Sequence, residues 1–296
     1  MPARVILVAV PKGGSGKTTT VQTLGQAFVE QKMRVLCIDT DPQGNLSSVL
    51  GYRHKRSAVT LYTVLREFAF NRRRMLPSAI YHLANGIDLV PADLTLNSAN
   101  DELASQVERE HIIEKLIAPV KDQYDVILFD SPSYLGVLVN NVLVAADEVI
   151  IPVHAEPLGI AGAAMMLSHL QKVRDYGMIG DLLIRGGLIT LVDRRTAINV
   201  QSIDYAHEML SPHMPFFKTE IERTVRVPEA QIMKETVLTY RPKETERIAR
   251  AYREVRNEII AGSLGVPVQT LSIPANFVEE ILDMEMADTT EDETNG

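Results

Sequence analysis

A short stretch near the start of the chain combines glycines, a lysine and a threonine in an order that suits phosphate binding. An apolar run from residue 4 leads into Gly13, Gly14 and Gly16, and a helical pattern follows at once. Glycines lack the Cβ atom that would keep backbone N–H groups from phosphate oxygens, and the helix adds its positive dipole. Lys17 would reach the β- and γ-phosphates, and the Thr18 hydroxyl would bind Mg²⁺. The stretch predicts a nucleoside triphosphate site; the alternative is a glycine-rich turn that binds nothing.

Three aspartates lie at the ends of apolar runs that we expect to be strands. Asp39 and Asp41 follow the run at 34–39, and Asp130 ends the run at 124–130. Open α/β sheets bind ligands at the carboxyl ends of their strands, so these carboxylates are expected near the glycine-rich turn. Carboxylates in that place can organise Mg²⁺ and water. For residues 39–45, an Asx-rich turn ahead of a helix is the structural alternative.

The glycine-rich turn departs from the ordinary pattern G-x-x-x-x-G-K-[ST], because Pro11 stands where the first glycine belongs and Lys12 precedes the glycines. This form resembles the deviant Walker A box of the ParA/MinD family of ATPases. The resemblance implies that Lys12 reaches the phosphates bound by the partner in an ATP-dependent homodimer. It also implies that Asp39 and Asp130 support Mg²⁺ through water, and that Asp41 orients or activates the attacking water. The implied catalytic residues are Lys12, Lys17 and Asp41.

Two later segments extend this resemblance. Residues 131–136 resemble the family's switch II, with Ser133 in place of the usual second proline. Residues 221–230 resemble a segment beside the adenine, with Glu222 where proline is usual, and this implies base contacts at Val227 and Pro228. The implied ATP-binding residues are Lys12, Gly13, Gly14, Ser15, Gly16, Lys17, Thr18, Thr19, Val227 and Pro228.

Basic residues recur in the last third of the chain. In a helix predicted over residues 242–260, Lys243, Arg247 and Arg250 share one face, and Arg253 and Arg256 extend an adjacent stripe. Clustered guanidinium groups bind phosphate backbones without reading bases, although a salt-bridged surface helix has a similar pattern. Together with the family resemblance, this pattern predicts contacts to non-specific DNA from Arg194, Arg195, Arg223, Arg226, Lys243, Arg247 and Arg250.

The chain has 296 residues with 46% hydrophobic and 23% charged content, which is enough for one large α/β domain or two small ones, and we favour one. Further strands are expected at 87–92, 147–153 and 188–192, and a helical pattern continues to about residue 120. The predicted fold is a mostly parallel twisted sheet with helices on both faces, as in P-loop NTPases. We expect a ParA-like ATPase domain at 1–262 and an acidic, partly disordered tail at 263–296.

The net charge of −8 is concentrated in the tail, where residues 279–296 hold eight acids and no Lys or Arg. The remaining 30 acids balance 30 bases, so a local basic face is compatible with the composition. The tail has an apolar stripe, but its charge would be repelled by anionic lipid, which favours docking on the protein's own body or on a basic partner. We find no signal peptide and no apolar run long enough to cross a bilayer, and therefore expect a cytoplasmic protein without membrane contact.

The leading functional hypothesis is a partition ATPase that segregates DNA. It would bind ATP and Mg²⁺, form a homodimer, associate non-specifically with nucleoid DNA and be released when a ParB-like partner stimulates its otherwise weak hydrolysis. One alternative is a MinD-like or cargo-positioning ATPase that acts on a membrane or a protein assembly. Another is a regulatory or scaffold protein that binds nucleotide with little turnover.

Overall fold

A single sheet forms the centre of the computed structural model, which describes residues 2–53, 58–73, 76–106, 108–262 and 264–283. The strands are β1 (Arg4–Val8), β2 (Val35–Asp39), β3 (Tyr81–His82), β4 (Ile87–Val90), β5 (Val126–Asp130), β6 (Glu148–His154), β7 (Leu183–Val192), β8 (Ile221–Glu222) and β9 (Val266–Pro267). Within the described ranges their order is β3-β4-β2-β5-β1-β6-β7-β8, and β9 pairs with β7. The pairs β3–β4 and β7–β9 are antiparallel and the others are parallel.

Helices cover the two faces of this sheet. They are α1 (Lys17–Glu30), α2 (Asn45–Val49), α3 (Leu61–Asn71), α4 (Ala99–Ala104), α5 (Ile112–Ile117), α6 (Val137–Ala145), α7 (Pro157–Asp175), α8 (Ala197–Leu210), α9 (Arg226–Ile232) and α10 (Pro242–Ala261). Short 3₁₀ turns lie at Leu76–Ala79, Leu94–Ser98, Arg109–His111, Ala118–Gln123 and Val268–Thr270. The helical pattern expected up to about residue 120 is therefore divided, and Glu108, which has a left-handed φ of 55°, lies between α4 and the 3₁₀ turn that precedes α5.

Alternating side chains of the central strands enter two separate cores. In β1, Val5 and Leu7 pack into one core, and Ile6 and Val8 pack into the other. The first core also contains residues of α3 to α8, whereas the second contains residues of α1, α2, α9 and α10. A parallel strand buried on both faces reads as a continuous apolar run, which is the pattern in this sequence. The predicted fold class is confirmed.

The strand expected at 188–192 is longer than its apolar run, because β7 begins at Leu183. Its first half contains Arg185, whose side chain is 4% exposed and pairs with Glu148 of β6 at 2.7 Å. Arg4 also forms an ion pair with Glu148. A carboxylate between two guanidinium groups lets β7 carry a charged residue into the sheet.

The described part of the expected tail packs on the body of the protein. Residues 266–267 form β9, and Val268, Phe277 and Ile281 belong to the first core. The Gln171 side chain in α7 donates a hydrogen bond of 3.1 Å to the Ile273 carbonyl. Residues 264–283 thus share the core of the ATPase domain, although the expected boundary fell at residue 262. The part of the predicted acidic tail beyond residue 283 lies outside the described residues.

Candidate nucleotide-binding site

The glycine-rich loop joins β1 to α1 at the carboxyl edge of the sheet. Gly13 and Gly14 are exposed, and Gly14 and Gly16 have φ values of +73° and +85°, in the left-handed region that favours glycine. The Thr190 hydroxyl of β7 donates a hydrogen bond of 2.9 Å to the carbonyl of Ser15. This bond anchors the loop to the sheet beside the N-terminus of α1, where backbone N–H groups attract anions. The loop has the backbone form of a phosphate cradle.

The Lys17 side chain is only 6% exposed as a residue and turns back toward its own loop. Its Nζ donates hydrogen bonds to the Lys12 carbonyl at 2.6 Å and to Ser133 Oγ at 3.0 Å. Burial lowers the pKa of Lys17, while the charges of Asp130 and Asp41 act in the opposite direction. The ammonium group therefore lies among the predicted carboxylates and next to the glycines. A phosphate group there would compete with the Lys12 carbonyl and Ser133 for its hydrogen bonds.

Asp130 and Asp39 end two neighbouring strands, opposite one another in the β2–β5 register. Thr18 Oγ1 donates a hydrogen bond of 2.7 Å to Asp130 Oδ2. Both carboxylates are fully buried; burial raises the pKa of Asp39 to about 6, and burial together with the charge of Asp39 raises the pKa of Asp130 well above its ordinary range. Two buried carboxylates this close favour a cation between them or near them.

Asp41 lies at the mouth of the same site. Its backbone N–H donates to Asp39 Oδ1 at 3.1 Å, and its own Oδ1 accepts from the Gln43 N–H at 2.9 Å. The intervening Thr40 is held by its N–H and hydroxyl, which donate to the Asp130 carbonyl at 3.0 and 2.5 Å. The structure thus fixes the loop after β2 to the end of β5, with the half-buried Asp41 side chain at its open end.

The residues present fit Mg²⁺. Asp130 Oδ1 is buried and accepts no hydrogen bond from the described residues, and the Thr18 hydroxyl lies on the other oxygen of the same carboxylate. Hydroxyl and carboxylate oxygens are the ligands that this hard cation prefers. No group of three or more His, Cys, Asp or Glu residues suited to a metal occurs among the described residues. Mg²⁺ commonly takes one or two protein ligands and completes its shell with water and substrate phosphates, which suits this arrangement.

The Lys12 side chain lies against α7. An ideal Cβ at Gly162 would come within 3.2 Å of Lys12 Cβ, so the glycine allows the lysine stem to approach the helix closely. Burial lowers the pKa of His154 at the end of β6, and the charge of Lys12 contributes to this lowering. Lys12 and Lys17 therefore lie on one loop but point to different surroundings.

The expected base-binding residues lie in α9, which packs beside α1. Val227 is half-buried and Pro228 is exposed. Gln231 Nε2 donates hydrogen bonds to Thr19 Oγ1 at 3.1 Å and to Gln22 Oε1 at 3.4 Å. The structure thus brings the segment of Val227 and Pro228 next to the phosphate loop, although the two are about 200 residues apart in the chain.

Two polar side chains at this site, Thr190 and Gln231, escaped the sequence interpretation. Thr190 is a single hydroxyl residue in an apolar strand, and Gln231 is an ordinary polar residue in a short helix. Their partners, Ser15 and Thr19, are distant in sequence. Neither spacing nor composition carries a signal for such contacts.

The predicted DNA-binding side chains gather at the carboxyl ends of β7 and β8 and on the first half of α10. Arg223 and Lys243 are exposed there. The other five all form ion pairs with nearby carboxylates. The pairs are Arg194–Glu220, Arg195–Asp193, Arg226–Glu229, Arg226–Glu244, Arg247–Glu222 and Arg250–Glu254. A DNA phosphate would therefore have to replace carboxylate partners on this face.

The stripe expected from Arg253 and Arg256 is wrong, because both side chains face α1. Arg253 donates to both carboxylate oxygens of Glu30 at 2.8 and 2.9 Å. Arg256 is 5% exposed and donates to the Ala27 carbonyl at 2.9 Å. Helical spacing placed them beside Arg250, but their partners on α1 determine which way they point.

Comparison with known proteins agrees with this geometry. A family model described as an AAA domain matches residues 3–182. The chain is 33% identical over 258 residues to the sporulation initiation inhibitor protein Soj of Bacillus subtilis, covering 87% of this chain and 98% of that protein. It is 32% identical over 263 residues to the chromosome partitioning protein ParA of Caulobacter vibrioides, covering 88% of this chain and 95% of that protein.

Solved structures of similar fold also include nucleotide-binding proteins. Cobyrinic acid a,c-diamide synthase from Mycobacterium smegmatis, solved with ADP and magnesium, has a TM-score of 0.73 at 31% identity and covers 87% of this chain and 94% of that chain. The cell division ATPase MinD of Pyrococcus furiosus shares the fold, with a TM-score of 0.66 at 20% identity over 88% of this chain and 99% of that chain. Sequence relatives, fold and phosphate loop all lead to one conclusion: the chain belongs to the ParA/MinD family of P-loop ATPases.

Proposed function

We propose that this protein is a partition-type ATPase, which hydrolyses ATP with Mg²⁺ and alternates between a DNA-bound homodimer and a released monomer. The observation that carries the proposal is the phosphate loop with two lysines, Lys12 and Lys17, beside the Thr18–Asp130 hydrogen bond. The names of the relatives Soj and ParA support the partition role.

Each residue at the site has a separate task in this proposal. Lys17 exchanges its bonds to the loop for the β- and γ-phosphates, and Lys12 neutralises the phosphates held by the second subunit. Thr18 and Asp130 would hold Mg²⁺, and Asp39, opposite Asp130 on the neighbouring strand, would support them. The bound cation supplies charge neutralisation at the phosphate oxygens. Asp41, at the open mouth of the site, orients the attacking water and accepts its proton.

The proposed DNA contact is the surface formed by Arg194, Arg195, Arg223, Arg226, Lys243, Arg247 and Arg250 at the ends of β7 and β8 and on the first half of α10. A single subunit offers few unpaired cations there, since local carboxylates compete with phosphate. A homodimer doubles the number of cations on one surface, and DNA affinity rises steeply with the number of phosphates neutralised. Dimerisation would therefore switch DNA binding on.

Among the described residues, no helix is both long and apolar enough to cross a membrane.

A DNA gel-shift experiment with ATP, ADP or no nucleotide tests the function as a whole. We expect binding that needs ATP, ignores sequence and weakens as salt is raised. Arg250→Ala should reduce the salt slope, whereas the matched variant Arg253→Ala should not, because Arg253 is turned toward α1 and pairs with Glu30 there. Capture of the protein by anionic liposomes, without DNA binding, would instead support the MinD-like alternative.

A pair of lysine variants tests the dimer. Lys17→Ala should abolish ATP binding, while Lys12→Ala should bind ATP as a monomer and fail to dimerise, because only Lys12 acts across the interface. Light scattering with ATP measures the mass, and calorimetry measures nucleotide binding. If Lys12→Ala dimerises as well as the wild type, the proposed exchange of lysines between subunits is incorrect.

A further inference from the structure

A chain of two glutamine side chains connects α9 to the phosphate loop. Gln22 Nε2 donates to the carbonyls of Val49 at 3.2 Å and Glu235 at 3.0 Å. Its Oε1 accepts from Gln231 Nε2 at 3.4 Å, and the same nitrogen donates to Thr19 Oγ1 at 3.1 Å. Gln22 is 2% exposed, so its amide is fixed by these contacts inside the protein.

The two hydrogen bonds donated by Gln22 fix the direction of the others. Both N–H groups of Gln22 are committed to carbonyls, which can only accept, so Gln22 must present its oxygen to Gln231. Gln231 must then present its –NH₂ group, which has two protons and supplies both Gln22 and Thr19. The Thr19 hydroxyl receives a proton from Gln231 on a lone pair, so its own proton is directed to a different acceptor.

Thr19 lies in the first turn of α1, directly after Thr18. In this turn the backbone N–H groups attract anions, so a phosphate oxygen of the nucleotide is an acceptor that can reach the hydroxyl there. We infer that Gln231 is a positioning residue, which holds the Thr19 hydroxyl as a hydrogen-bond donor toward the nucleotide phosphates. The inference rests on the proposed function, since it assigns a role within the same nucleotide site.

The arrangement also links two parts of the site. Gln231 belongs to the helix that carries the expected base contacts Val227 and Pro228. A shift of α9 would remove the donor from Thr19, so the placement of the base segment controls one phosphate contact. Gln231 would therefore couple the position of the base-binding segment to a hydrogen bond at the phosphates.

A double-mutant cycle on ATP affinity tests this role. Gln231→Leu and Thr19→Val should each weaken ATP binding by about tenfold, the size expected for one hydrogen bond to a charged group. The double variant should bind ATP no more weakly than Thr19→Val alone, because Gln231 acts through that hydroxyl. Additive losses, about a hundredfold in total, would overturn the inference and leave Gln231 as a packing residue.

Two further variants keep the result interpretable. Gln231→Glu preserves the side-chain size but can only accept, so it should turn the Thr19 hydroxyl away from the phosphates and weaken ATP binding at least as much as Gln231→Leu. Gln269→Leu, an exposed glutamine bonded to Gly180 far from the loop, is the matched control and should bind ATP as the wild type does. Failure of the wild-type protein itself to bind Mg²⁺ and ATP would refute the proposed function, whereas normal wild-type binding with an additive cycle refutes only the role of Gln231.

Discussion

The substitution Asp39→Asn should flatten the pH dependence of stability measured in EDTA. Burial raises the pKa of Asp39 to about 6 from the ordinary 3.8, even though hydrogen bonds from Ser47 act to lower it. Between these pH values the folded protein retains a proton on Asp39 that the unfolded chain has released. Stability falls with rising pH wherever the folded state binds more protons, so this carboxyl destabilises the protein as the pH rises through that window.

The magnitude follows from the two pKa values. A tenfold change in proton affinity is worth about 1.4 kcal/mol, so the change from 3.8 to about 6 costs about 3 kcal/mol of unfolding free energy at neutral pH. Somewhat more than half of this cost is already present at about pH 5. The change that remains between about pH 5 and pH 7 is therefore about 1 kcal/mol.

Urea unfolding of the wild type and Asp39→Asn at several pH values in that range measures this quantity. The Asn amide oxygen can accept both Ser47 donors, at 2.8 and 2.6 Å, but its –NH₂ group then faces the Asp41 N–H that donates to Asp39 Oδ1 at 3.1 Å, and this mismatch adds a cost that does not vary with pH. The test is therefore the slope and not the absolute stability: from about pH 5 to pH 7 the variant should gain about 1 kcal/mol relative to the wild type. The exposed control Asp181→Asn should run parallel to the wild type. Parallel curves for Asp39→Asn as well would show that burial does not perturb this carboxyl.

Three further predictions follow from single contacts. Thr190→Val removes the donor to the Ser15 carbonyl and should lower the unfolding free energy by about 1–3 kcal/mol and weaken ATP binding; unchanged ATP affinity would contradict the anchoring role. Arg253→Ala should leave the salt dependence of DNA binding unchanged, since its guanidinium is bound to Glu30, and an altered slope would place Arg253 on the DNA face after all. Glu148→Gln leaves two guanidinium groups without their carboxylate and should cost about 3–5 kcal/mol by urea unfolding; a loss below about 1 kcal/mol would show that water solvates them.

The central part of the fold could be predicted because its signals are local. The apolar runs of β1, β2 and β5 are buried on both faces, so every residue between Arg4 at the start of β1 and Val8 is apolar, as are those of β2 and β5 up to their terminal aspartates. Gly14 and Gly16 have left-handed φ values, which favour glycine, so glycines at these positions are a local signal for the loop. Asp39 and Asp130 were expected at one sheet edge, and they are opposite each other in the register.

Features that depend on distant partners could not be predicted in the same way. The first half of β7 contains Arg185 and two glycines, which read as a loop until the ion pair with Glu148 is known. Arg253 and Arg256 share the helical spacing of surface residues, but their direction is set by α1, which is more than 200 residues earlier. In each case a charged residue is mistaken for a solvent-facing one because its partner lies on another element.

The two prolines that this chain lacks have a common consequence. Ser133 accepts a hydrogen bond of 3.0 Å from Lys17, and Glu222 forms an ion pair with Arg247, and a proline side chain could do neither. Both cations are therefore held by the protein's own side chains at positions where the proposed function needs them on phosphate. The free energy that each would gain from a phosphate is reduced by the contact that it gives up. In the proposed function, a count of positive charges therefore overstates the affinity for ATP and for DNA. We expect dimerisation, which would double the number of cations on one surface, to contribute more to DNA binding than the single subunit's own charges.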